Sequence, residues 1–119
     1  MNVSKEEVLD IIKTFPIEPM FNKVVITLNK EEDIELSLKA DTSLDEVQYV
    51  IAGSIKYGNT EVNPGDKVIL DLKSMQKPVR SEVGNAYEPV YQIEVDPLFI
   101  DGKLFGIIND RNIKAKDNR

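Results

Sequence analysis

Asp33 with Glu35, Glu31 with Glu32, and Asp45 with Glu46 stand close enough in sequence to work as carboxylate pairs, and Asp96 and Asp101 stand alone. Paired carboxylates can divide general-acid and general-base roles when their surroundings push their pKa values apart. Nothing in the sequence singles out one pair. Most lie beside lysines in polar stretches and read as solvated surface. Asp66 and Asp101 sit in turn signals, where a short polar side chain is wanted for conformation. Ser37, Ser43 and Ser54 have no partner to activate them, because the chain contains no histidine. The commonest general base and the commonest metal ligand are therefore both missing. Cysteine is absent too, which removes thiolate chemistry, thiolate metal sites and disulfides. No stretch matches a phosphate-cradling glycine loop or an EF-hand. The expectation is a protein that binds, with no catalytic residue, no metal and no cofactor.

The best binding candidate is 30–45, KEEDIELSLKADTSLD. Ile34, Leu36 and Leu38 alternate with Glu35 and Ser37 in a charged stretch that has neither Gly nor Pro. Two readings fit. The segment is an edge strand, or it is a long solvated loop with an apolar tag. Connections in compact domains run about 4–6 residues, and longer ones are usually functional or disordered. A tag on such a loop docks in extended form into an apolar groove and loses its freedom only on contact.

Several elements must position that segment. Residues 4–14 predict a short helix: Ser4 and Glu7 make a capping box, and Val8, Ile11, Ile12 and Phe15 recur at helical spacing. Pro16 and Pro19 end it. FNKVVITLN at 21–29 and EVQYVIAGS at 46–54 predict buried strands. Gly58-Asn59 and Pro64-Gly65 mark turns, the second a type II turn that launches Val68–Leu72. Residues 73–89 are polar, contain Pro78, Gly84 and Pro89, and predict an irregular excursion. YQIEV at 91–95 alternates as a strand does, and Asp96-Pro97 breaks it. Asp101-Gly102 between two apolar runs is the strongest hairpin signal in the chain.

A chain of 119 residues is expected to form one domain with a real core. The pattern predicts a mainly β fold: a small antiparallel barrel or sandwich with a short N-terminal helix. Its core falls on Val24, Val25, Ile26, Val47, Val50, Val68, Leu70, Phe105, Ile107 and Ile113. The net charge of −6, with a pI of about 4.7, repels phosphate backbones, so nucleic acid is not an expected partner. Tyr49, Tyr57, Tyr87 and Tyr91 offer stacking surfaces for a single strand, but the charge opposes that use. No apolar run is long enough to span a bilayer and no secretory signal opens the chain, so the expected setting is the cytoplasm, away from membranes.

The order of these pieces resembles the GroES family of co-chaperonins, including divergent members carried by phages. Asn22-Lys23-Val24-Val25 looks like the family's first strand. Ile34-Glu35-Leu36-Ser37-Leu38 falls where the family carries a mobile loop with an apolar tripeptide. Asp45–Gly53 follows at similar distance, as the family's next strand does. Val62-Asn63-Pro64-Gly65-Asp66-Lys67-Val68 is similar to its Val-x-x-Gly-Asp-x-Val turn. Lys103–Ile108 and Asn112-Ile113-Lys114-Ala115 resemble its ending. The likeness covers 21–72 and 99–115. The family's Gly-Gly before the tripeptide is missing, and the tripeptide is interleaved with Glu35 and Ser37.

The resemblance implies a GroES-like β-barrel over 21–119, preceded by a helical extension over 1–20, with a mobile loop at 30–45 and an insertion at 73–98. It implies a homo-oligomer, a heptameric ring, that caps a GroEL-type chaperonin in the bacterial cytosol, including that of a phage-infected cell. Ile34, Leu36 and Leu38 would contact the chaperonin. Because chain ends pair with neighbouring subunits in this family, it also implies ring contacts at Phe21–Leu28 and Ile107–Ile113. The competing expectation is a phage virion or assembly protein that uses a small β-barrel for structural reasons alone.

Overall fold

The computed structural model describes residues 2–30, 44–83 and 86–119, with the strands but not the side chains of 78–92. Ile34, Leu36 and Leu38 lie outside the described residues. The chain is mainly β and antiparallel. Its first element is α1 (Lys5–Thr14), which starts at Ser4 with the expected reciprocal capping box with Glu7. Among the described residues ten strands follow: β1 (Lys23–Thr27), β2 (Val47–Ala52), β3 (Ile55–Tyr57), β4 (Thr60–Val62), β5 (Lys67–Leu70), β6 (Gln76–Val83), β7 (Ala86–Ile93), β8 (Asp96–Ile100), β9 (Lys103–Asn109) and β10 (Ile113–Asp117). None of the described helices is long and apolar enough to cross a membrane.

Six strands form one sheet in the order β10-β5-β2-β1-β9-β8. The edge strands β8 and β10 do not pair with each other, so among the described residues the sheet stays open and no closed barrel forms. β1 has neighbours on both sides: Val25 and Ile26 pair with β2, and Lys23–Thr27 pair with Asn109–Phe105 of β9. β9 is likewise held between β1 and β8. The backbone groups that face neighbours in Lys23–Thr27 and Ile107–Asn109 are thus paired within the chain, while Ile113 starts the edge strand β10. The ladder groups of β1 and β9 are already used within the chain, and the free edges belong to β8 and β10.

Both faces of the sheet are covered, which is why β1 reads as a near-continuous apolar run. Val24 and Ile26 enter a core with Val50, Val62, Val68, Leu70, Met75 and Ile108. Val25 enters a second core with Val8, Ile51, Ala52 and Phe105, where α1 packs. Phe15 meets Phe105 edge-on, with ring centroids 5.3 Å apart. Of the expected core, Val47, Ile107 and Ile113 are only half-buried, while Ile51, Val62, Met75 and Ile108 are buried in addition.

The turns follow the sequence closely. Asn63 to Asp66 closes with a 3.0 Å backbone bond, and Gly65 has φ +95, as a type II turn with Pro64 at its second position requires. Asp101 and Gly102 both have positive φ and join β8 to β9 as a two-residue hairpin.

Two expectations fail. Gln76–Val83 and Ala86–Ile93 pair as regular antiparallel strands, β6 against β7, in register from Gln76↔Ile93 to Val83↔Ala86. Among the described residues these strands pair only with each other, and Pro78 and Pro89 are tolerated because neither strand has a second neighbour there. Asp96-Pro97 begins β8 instead of ending a strand. β8 is an edge strand, where a residue without an N–H fits.

Candidate functional site

What the structure describes of the candidate segment is its neck. Lys30 and Leu44 form an isolated antiparallel bridge, and the Asp45 N–H donates to the Asn29 carbonyl at 3.0 Å. This bridge joins the residues that follow β1 to those that precede β2.

Two clamps hold the neck. The first comes from the N-terminal residues, which α1 presents against the sheet. The Asn2 side-chain amide donates to the Lys30 carbonyl at 2.7 Å and its oxygen accepts from the Lys30 N–H at 2.8 Å. Asn29 returns the pattern: its side-chain oxygen accepts from the Val3 N–H at 2.8 Å, and its amide donates to the Val3 carbonyl at 3.0 Å. Each asparagine thus reads one residue of the other strand through both backbone groups, as a strand partner would.

The second clamp is Gln48, which is fully buried. Its oxygen accepts from the Thr27 hydroxyl and from the Asn29 N–H, both at 2.8 Å. Its amide donates to the carbonyls of Asn29 at 2.8 Å and Asp45 at 2.7 Å. The Thr27 hydroxyl oxygen in turn accepts from the Tyr49 N–H at 3.0 Å. Among the described residues no buried side-chain polar atom lacks a partner. A buried polar network satisfied in this way fixes one arrangement, because every alternative strands a polar group away from water.

Beside the neck lies an open groove of about 840 Å³. Leu28, Leu44, Val95, Phe99 and Leu104 supply its apolar wall. Gly106 helps to shape it. A Cβ there would collide with Val95 and would lie 2.8 Å from a Leu28 methyl, so both side chains settle over a bare stretch of β9. Phe99 and Leu104 are cross-strand partners and stay largely exposed, at 68% and 50%. Lys30 and Lys103 stand on the rim, and Lys103 lies 3.8 Å from Glu7.

The carboxylates do structural work where they are described. Asp45 accepts from the Val47 N–H at 3.0 Å, and Asp66 accepts from the Asn63 N–H at 2.8 Å across the turn. Glu46 lies 3.8 Å from Lys114. Glu31, Glu32, Asp33 and Glu35 lie outside the described residues. Arg119 grips Asp117 through two guanidinium bonds of 2.9 Å, and this holds the carboxyl well below its ordinary range. Asp117 ends β10, the edge strand opposite β8, and Arg119 follows it. Among the described residues no three Asp or Glu gather as a metal site would need. The arrangement suits holding a segment and offering an apolar surface.

No protein-family model matches the chain, and neither a curated protein nor a solved structure matches it.

Sequence reasoning did not find Asn2, Asn29 or Gln48. A signal for Gln48 was present: a lone amide inside VQYVIA, a strand otherwise made of apolar and aromatic residues, needs buried partners.

Proposed function

We propose that the chain is a co-chaperonin of GroES type. It would cap the mouth of a GroEL-type chaperonin as a homo-oligomeric ring, heptameric by the family resemblance, and assist ATP-dependent folding while performing no reaction itself. The observation that carries this reading is the doubly clamped neck. Lys30 and Leu44, the residues on either side of 31–43, are held together at a fixed point by the Gln48 network and the Asn2–Asn29 clamp. Ile34, Leu36 and Leu38 are the groups that would fill an apolar slot on the chaperonin.

A fixed neck has a physical purpose in such a device. Ordering a segment costs about 1–2 kcal/mol per residue. One docking event is therefore weak, and several identical segments on one ring bind together through effective concentration. That gain requires each copy to present its segment from the same place, which a rigid neck supplies. The order of strand, segment, strand, short hairpin, type II turn and strand also agrees with the family's order. The finer claim of a GroES-like barrel belongs to this proposal.

The test is size-exclusion chromatography with a GroEL-type chaperonin and ATP. Co-elution that is lost on Leu36→Asp or Leu38→Asp supports the proposal. A chain that stays separate from the chaperonin at micromolar concentration removes it.

The β6–β7 arm favours a second reading, a phage virion or assembly component. A hairpin that pairs with no other strand among the described residues is suited to reaching a neighbour in a built structure. That reading expects no affinity for a chaperonin.

A further inference from the structure

We propose that Met20 and Phe21 of one copy insert into the groove beside β8 of a second copy, so that the chain associates head to tail. Phe21 is 97% exposed and has φ +58. An L-residue in that region is strained, and among the described residues nothing covers the ring in return. Met20 beside it is 67% exposed. The turn that displays both is closed by the Lys23 N–H donating to the Met20 carbonyl at 3.2 Å. A strained backbone that holds a large apolar ring in water is unfavourable twice over in an isolated molecule.

The groove is its counterpart. Phe99 and Leu104 are exposed there, and Leu28, Leu44 and Val95 line the floor. Knob and groove lie at opposite ends of one ladder. Phe21 precedes Lys23, which pairs with Asn109, while Leu28 and Leu104 flank the Thr27↔Phe105 end. Seven residues of strand at about 3.3 Å each separate them by roughly 23 Å. Phe21 cannot reach its own groove, and only another copy brings the two together. Charge agrees at one point: exposed Glu18 stands next to the knob and exposed Lys30 on the rim of the groove, where Lys103 already faces Glu7.

Knob and groove are different patches, so the contact is heterologous. A pair joined this way keeps one unused knob at one end and one unused groove at the other, so the assembly grows until it closes as a ring or continues as a filament. This inference concerns self-association alone and stands whether or not the chain binds a chaperonin.

Two variants test it, with no chaperonin present. Phe21→Gly removes the ring and suits a positive φ, so it also relieves strain and folding is not at risk. Leu104→Lys places a charge in the groove, and circular dichroism checks its fold. Analytical ultracentrifugation should show an assembly for the wild-type chain. Each variant should dissociate about 30-fold more readily, the effect of losing one buried anchor. A mixture of the two should recover a 1:1 dimer, because one intact knob meets one intact groove. A monomeric wild-type chain, an unchanged Phe21→Gly assembly, or a mixture that stays monomeric would each overturn the proposal.

Discussion

Replacing Gln48 by Met keeps the length and apolar stem of the side chain and deletes its four hydrogen bonds. The Asn29 N–H and the Asp45 carbonyl then lose the side-chain partner given above, and the Thr27 hydroxyl loses its acceptor. A buried polar group left unpaired costs about 1–3 kcal/mol. Two backbone groups at the middle of that range give about 4 kcal/mol. For a domain of this size that corresponds to a fall in Tm of about 15 °C. Urea unfolding followed by circular dichroism measures it, with the slope unchanged because the surface exposed on unfolding is nearly the same. The exposed half of the clamp is the control. Asn2→Ala removes bonds that water can replace, and it should cost under about 1 kcal/mol. If Gln48→Met lowers stability by less than Asn2→Ala does, the buried amide does not fix the neck and the reasoning fails.

Phe105 is 1% exposed and stacks edge-on with Phe15, so Phe105→Ala should cost about 3–5 kcal/mol and loosen α1, read as a lower midpoint in urea. Gly65→Ala has room for its methyl group, 3.5 Å from Leu9, so its cost of about 1–2 kcal/mol is conformational and should not change the urea slope. The folded Asp117 carboxyl titrates below its unfolded value of about 3.9, so its stabilisation is complete above about pH 5 and fades as pH falls below that. Wild type should therefore exceed Asp117→Asn in stability at neutral pH, with the gap closing in acid. A gap that widens in acid would contradict the assignment.

The parts of this fold governed by local rules were legible in the sequence. The Ser4–Glu7 box starts α1, the Pro64-Gly65 turn launches β5, and Asp101-Gly102 joins β8 to β9. Each depends on residues a few positions apart. The β6–β7 hairpin was hidden by Pro78 and Pro89, which count against a strand unless the strand has a free edge. Gly84-Asn85 between two β-capable runs was its one sequence signal. Only the start of β8, at Asp96-Pro97, was hidden in the same way. The neck was illegible for a different reason. Asn2 with Lys30, and Gln48 with Thr27 and Asn29, meet only after the sheet has formed, and no periodicity encodes a contact between residues 28 or 21 positions apart. Sequence pointed to the segment at 30–45, and structure supplied what grips it.

Hydrogen exchange over residues 34–38, with and without a GroEL-type chaperonin and ATP, tests the central claim most directly. The account predicts that exchange there slows when chaperonin and ATP are added, and that Leu36→Asp abolishes the change. Exchange over 34–38 that is the same in both conditions would contradict it.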